Sequence, residues 1–179
     1  ETPAYAASRR GFILAAGAVI GAVLLEGCSK ASHWRAGDDV TGSFPRLAFT
    51  LTRATDGKTV TAADYRGRAM LLYFGYTFCP DVCPTTLLNL AQALKRLGPL
   101  ANRTRVLFVT VDPNRDTLSI LKDYGPQFSP QVEGMRPTPD ELASLARRYR
   151  AAYSISAGDK DHPYTVTHSS AIYVFDRSG

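Results

Sequence analysis

The chain has 179 residues, 45% hydrophobic and 21% charged, with a formal net charge of +5. That composition is ordinary for a globular protein and allows one sizeable domain plus a tail. The basic residues are scattered and no run of five or more occurs, so a nucleic-acid footprint is excluded as the leading idea. A mild attraction to an acidic partner or an anionic membrane is what the charge leaves open.

The chain starts with Glu1 and soon reaches Ser8-Arg9-Arg10-Gly11-Phe12-Ile13. An uncharged run of 15 residues follows, Gly11 to Leu25. It is short for a membrane span and suits the apolar region of a signal peptide. The paired arginines resemble a twin-arginine export signal. Leu25-Glu26-Gly27-Cys28 resembles a lipoprotein cleavage box, with Glu26 where a small residue is usual. Two readings stand together: a lipid-anchored Cys28, or an uncut signal-anchor helix. Both place the chain in a bacterial cell envelope, with the domain on the extracytoplasmic side, where disulfides persist. Residues 1–28 are therefore assigned to export or anchoring. Residues 29–43, with His33 and Trp34, form a linker poor in periodicity. Residues 44–179 form the domain.

Within the domain, Leu47, Phe49 and Leu51 alternate with smaller or polar residues, a strand pattern. Asp56-Gly57 signals a hairpin turn, and Lys58-Thr59-Val60 is the return. Thr61 to Asp64 reads as a capped helical turn ending at Gly67. Ala69 to Phe74 is a continuous apolar run, as in a strand buried on both faces. Leu87, Leu90, Ala91, Leu94 and Leu97 form the inward stripe of a helix. Val106 to Val111 is a second buried strand, closed by Asp112-Pro113. A helix from Asp116-Thr117 ends near Tyr124. Thr138-Pro139-Asp140-Glu141 is a capping box opening another helix. Tyr153 to Ser156 reads as a short strand, Gly158 to Pro163 as a polar loop, and Ala171 to Phe175 as the last strand. Alternating strands and helices predict an α/β fold, with a central sheet flanked by helices and an N-terminal hairpin.

Two of the three cysteines lie where the first buried strand feeds the first long helix, in Cys79-Pro80-Asp81-Val82-Cys83. A dithiol at such a turn is the thioredoxin-like arrangement. Unpaired N–H groups and the dipole at a helix start favour anions. Both thiols are therefore expected below the free value of ~8.5. Such a pair either oxidises to a disulfide or binds a soft metal. A third ligand is sought among three histidines. His33 lies in the linker, and His162 sits beside Pro163 in the polar loop. His168 directly precedes the last strand, where a thioredoxin carries proline and this chain has none. Cys79, Cys83 and His168 suit copper, since thiolates favour Cu(I) and imidazole tolerates Cu(II). Zinc wants a fourth ligand or a water. An inert disulfide and a peroxidatic Cys83 are weaker alternatives; for the latter, Pro80 occupies the position where a threonine is wanted.

Phe74-Gly75-Tyr76-Thr77-Phe78-Cys79-Pro80-Asp81-Val82-Cys83-Pro84, Val109 to Thr117, and His168-Ser169-Ser170-Ala171-Ile172-Tyr173 together resemble the Sco/SenC family, from about Phe44 to Gly179. The resemblance implies a membrane-anchored, thioredoxin-fold copper chaperone. It would bind one copper through Cys79, Cys83 and His168. Its partners would be the copper-receiving subunit of cytochrome c oxidase, a thiol reductant and another copper donor. Asp112 of the Asp-Pro-x-Arg-Asp segment is expected either to tune the site or to cap a helix. The family continues with a further strand and helix, which are expected to be missing here. The remaining alternative is a membrane-anchored thiol–disulfide oxidoreductase acting on a partner's cysteine pair.

Overall fold

A computed structural model describes residues 37–158 and 164–179. Cys28, His33 and His162, the export segment and most of the linker lie outside the described residues. The chain from Gly42 to Gly179 forms one compact unit.

The hairpin comes first. β1 (Thr50–Arg53) and β2 (Thr59–Thr61) pair antiparallel, with Leu51 opposite Val60. The turn needs Gly57, whose φ is 70°, in the region that penalises a Cβ. Its amide donates to Arg53 O at 2.9 Å. A 3-10 turn follows over Ala62–Tyr65. β3 (Ala69–Gly75) and β4 (Thr104–Thr110) are the two buried apolar runs, paired in parallel. Between them lies α1 (Val82–Leu97), which buries Cys83, Leu87, Leu90 and Leu94. Their spacing of three and four puts all four on one face.

α2 (Leu118–Tyr124) is capped by Thr117, whose hydroxyl accepts from the Ile120 amide at 3.3 Å. β5 (Val132–Arg136) then adds to β4 in parallel. The sequence pattern gave no sign of this strand. α3 (Pro139–Tyr149) opens on the expected box, with Glu141 accepting from the Thr138 amide at 2.8 Å and Thr138 from the Glu141 amide at 3.3 Å. β6 (Tyr153–Ser156) and β7 (Thr165–His168) make a separate antiparallel ribbon. β8 (Ile172–Phe175) returns to pair antiparallel with β3.

The main sheet therefore runs β2-β1-β5-β4-β3-β8. Its centre is parallel and its edges antiparallel, which is the thioredoxin-like mixed sheet. β3 and β4 end side by side, Gly75 opposite Thr110. The segments after them, where open α/β sheets bind ligands, hold Cys79 in its loop, Cys83 in the first turn of the helix that follows β3, and the Asp112–Asp116 segment. Among the described residues no helix is long and apolar enough to cross a membrane.

Candidate metal centre

α1 starts at Val82, two residues earlier than Pro84 predicts, with Asp81 as its N-cap. Cys83 is thus inside the first turn, and it is fully buried. Cys79 lies in the loop before the helix and is half-buried. The Cys83 amide, one of the donors left free at a helix start, points at Cys79 Sγ, 3.4 Å away.

His168 is the last residue of β7, opposite Tyr153. Its Nδ1 lies 2.9 Å from the Ser169 carbonyl oxygen. A carbonyl only accepts, so Nδ1 donates to it and Nε2 is the ring nitrogen left for the dithiol. That Nε2 faces the dithiol, 3.2 Å from Cys83 Sγ. The ligand atoms of Cys79, Cys83 and His168 all lie within 4.8 Å of one another. The three residues singled out from the sequence are brought together. Tyr76 and Tyr73 stand edge-on to the imidazole, with centroids at 5.7 and 6.2 Å.

The two thiols differ, which corrects the expectation that both fall. Burial pushes Cys83 up to about 12, because a helix start does not offset the loss of water around a fully enclosed sulfur. Burial opposes the Cys79 thiolate as well. Hydrogen bonding from the His168 ring, and from the Cys83 and Asp81 amides, outweighs it and brings Cys79 down to about 7. The site has one sulfur ready to ionise at its mouth and one held protonated beneath it. Two thiolates and an imidazole make a soft donor set, suited to copper.

A family model described as SCO1/SenC matches residues 42–179. The chain belongs to the SCO1/SenC family. It is 40% identical over 125 residues to the mitochondrial SCO2 homolog of Bos taurus, covering 69% of this chain and 47% of that protein. It is 37% identical over 133 residues to the human mitochondrial SCO1 homolog, covering 73% and 44%. The chain thus spans about half the length of the curated relatives it matches. Among solved structures, copper-bound ScoI of Bradyrhizobium japonicum has a TM-score of 0.68 and 39% identity, over 74% of this chain and 83% of that one. Copper-bound yeast Sco1 has a TM-score of 0.66 and 32% identity, over 74% and 75%.

Around the SCO1/SenC dithiol, the structure adds Asp116 and Gly75, which motif spacing did not single out, and places Asp112, which it did. Asp116 was expected to open a helix. It is instead a buried carboxylate, accepting from the Thr77 amide at 3.1 Å and from the Thr77 and Thr110 hydroxyls at 2.6 and 2.5 Å. Burial pushes its carboxyl up against those hydrogen bonds. It ties the cysteine loop to the end of β4. Asp112 is also fully buried; it accepts from the Tyr164 hydroxyl at 2.7 Å and pairs with Arg115. Gly75 is required by proximity. A Cβ there would lie 2.6 Å from Phe108 Cε2 and 2.9 Å from Cys83 Sγ. A second aspartate just past the strand-ending Asp112-Pro113 and a glycine closing an apolar run next to the cysteines were the available signals.

Proposed function

We propose that the domain is a copper metallochaperone that holds one copper through Cys79, Cys83 and His168 and delivers it to the binuclear copper site of cytochrome c oxidase. The observation that carries this reading is the convergence of two sulfurs and one imidazole nitrogen within 4.8 Å. Copper-bound relatives of the same fold support it, as does a structural neighbour described as a member of the Sco family of cytochrome c oxidase assembly proteins. Copper enters as cargo. Cys79 is the sulfur at the mouth, so the donor's and the recipient's soft ligands exchange there. Cys83 and His168 hold the metal from below. Both cysteines must be reduced first, which assigns a thiol reductant to the pathway.

In this reading, the segment ending at Cys28 exports the chain and anchors it to a bacterial membrane, with the domain in the envelope. Mass spectrometry of the mature N-terminus would show a diacylglycerol on Cys28 or an uncut helix. A soluble product cleaved elsewhere would overturn the anchor.

The test of the site is a chelator-competition titration of the reduced full chain with Cu(I). One equivalent should bind, and Cys83→Ser and His168→Ala should each lose more than about tenfold in affinity, ~1.4 kcal/mol. Unchanged affinity in both variants would sink the proposal.

The lowered Cys79 supports a second reading, thiol–disulfide exchange. The Cys79 thiolate would attack a partner disulfide, forming a mixed disulfide and releasing one partner thiolate. Cys83, its proton passed to the partner thiolate released in the first step, would then attack Cys79 Sγ and release the other partner thiolate, leaving a Cys79–Cys83 disulfide. Stopped-flow exchange with an oxidised dicysteine peptide separates the readings. Slow exchange in a chain that binds copper would leave the chaperone role alone.

A further inference from the structure

The triad is assembled from two chain segments that share no strand pairing. Cys79 and Cys83 follow β3 in the main sheet, whereas His168 ends β7, which pairs with β6. The ribbon buries Val166, while the Ser169 amide, donating to Ala152 O at 2.8 Å, only extends the β6–β7 ladder. On the side facing the cysteines, besides the Tyr73, Tyr76 and Cys83 contacts with the His168 ring, one charged side chain spans the gap. The Arg115 guanidinium carbon lies 4.0 Å from the Tyr164 ring centroid, 5.2 Å from that of Phe78 and 5.8 Å from that of Tyr76. Its Nε is ion-paired with Asp112, which is fully buried. The same carboxylate accepts from the Tyr164 hydroxyl at 2.7 Å.

These partners sit at set points along the chain. Tyr164 leads into β7, four residues before His168. Phe78 adjoins Cys79, and Tyr76 stands edge-on to the His168 ring. We propose that Arg115 is a positioning residue: with Asp112 and Tyr164 it forms a latch that holds the His168 strand against the cysteine loop and governs how fast the triad opens. The chemistry suits arginine. A planar guanidinium stacks on aromatic faces while its edge pairs with a carboxylate, which a lysine ammonium does not do. Asp112, denied water, is compensated by that cation and the phenol. Phe78 is 57% exposed, so the latch lies at the rim where a partner approaches. The effect on copper release rests on the copper reading; the effect on the strand does not.

The test uses the reduced full chain, with Arg115→Met, Arg115→Lys and Tyr164→Phe. Arg105→Met, which breaks the Arg105–Glu133 pair at the far end of β4, is the control. In metal-free protein, the amides of Thr165–His168 should exchange hydrogen about tenfold faster in the three variants, while those of Val106–Val109 keep their protection. Arg115→Lys should fail to restore the wild-type rate. In copper-loaded protein, release to excess Cu(I) chelator should be about tenfold faster at unchanged stoichiometry, since such changes act through the off-rate. The thiolate-to-copper band of the Cu(II) form should shift as the imidazole moves. Wild-type exchange rates in all three variants, or a rise equal to that in the control, would overturn the latch. If wild-type protein binds no copper, the copper reading fails by itself and the exchange experiment still decides the latch. Tyr164→Phe removes one hydroxyl only, so it keeps the test decisive should the arginine variants unfold.

Discussion

Cys83 Sγ and His168 Nε2 lie 3.2 Å apart, though 85 residues separate them in the chain. The contact is made by a residue in the first turn of α1 and one at the end of β7. The Ser169 carbonyl holds Nδ1, so that Nε2 already faces the sulfur. Ligands oriented before the metal arrives lose little freedom on binding it. The same ring also acts on the neighbouring cysteine.

His168→Ala removes a hydrogen bond that favours the Cys79 thiolate, while the burial that opposes it remains. The Cys79 thiol should therefore rise from about 7. Thiolate absorbance followed during a pH titration of the metal-free chain reads this directly. An unmoved Cys79 would show that the backbone amides alone hold it down.

Copper binding should expel protons, and the number should change with pH. Between about 7 and about 12, Cys79 is ionised and Cys83 is not. Loading copper there displaces the Cys83 proton, so apparent affinity rises about tenfold per pH unit as far as the sulfurs are concerned. Below about 7 the Cys79 proton must leave too, and the dependence steepens to about a hundredfold per unit. The sign follows from competition: protons and copper contend for the same sulfurs, so affinity falls as pH falls. Competition titrations at about pH 6, 7.5 and 9 check it. A flat profile would contradict the enclosure of Cys83.

Much of this was legible in the residues. The β3 and β4 runs are apolar enough to be read as buried strands, and the α1 stripe and the α3 capping box are local signals that held. The dithiol and His168 were identifiable because few residue types bind soft metals and the chain has few of them. β5 was not legible. Val132-Glu133-Gly134-Met135-Arg136 carries two charges and a glycine, each locally adverse to a strand. Tertiary contacts explain them: Glu133 accepts from Arg105 Nε and from the Tyr65 hydroxyl, and a Cβ on Gly134 would meet Leu121 O at 2.7 Å, so its absence lets α2 pack close. The split between the thiols was equally hidden. Spacing places both near a helix start, but only the packed fold shows that Cys83 is sealed.

Asp116→Ala should loosen the cysteine loop from within. Three donors, the Thr77 amide and the Thr77 and Thr110 hydroxyls, lose their acceptor in a buried setting. An unsatisfied buried donor costs about 1–3 kcal/mol, and partial relaxation makes about 3 kcal/mol in total a reasonable magnitude. Chemical denaturation measures the loss. Alkylation of Cys83, fully buried in the wild type, should accelerate in the variant. Wild-type stability with slow alkylation would show that Asp116 is not what fastens the loop.

Gly75→Ala tests whether the position of Cys83 depends on the missing side chain beside it. Gly75 closes β3, and its carbonyl accepts from the Val111 amide at 2.8 Å, so the backbone cannot easily retreat. The added methyl would lie 2.6 Å from Phe108 Cε2 and 2.9 Å from Cys83 Sγ. Phe108 is itself wedged between Tyr73 and Tyr124, with centroids at 6.0 and 5.3 Å. Overpacking of this kind costs about 1–3 kcal/mol. It should lower the melting temperature by several degrees, at roughly 3–6 °C per kcal/mol for a domain of this size. The sulfur should also be pushed off its line to His168, reducing copper affinity more than overall stability predicts. Phe108→Leu removes the ring atoms that the methyl meets, so the double variant should regain part of the affinity lost by Gly75→Ala alone. Melting curves and Cu(I) competition on the two single variants and the double variant decide it. Equal affinity in Gly75→Ala and wild type would mean that Cys83 keeps its place without the glycine.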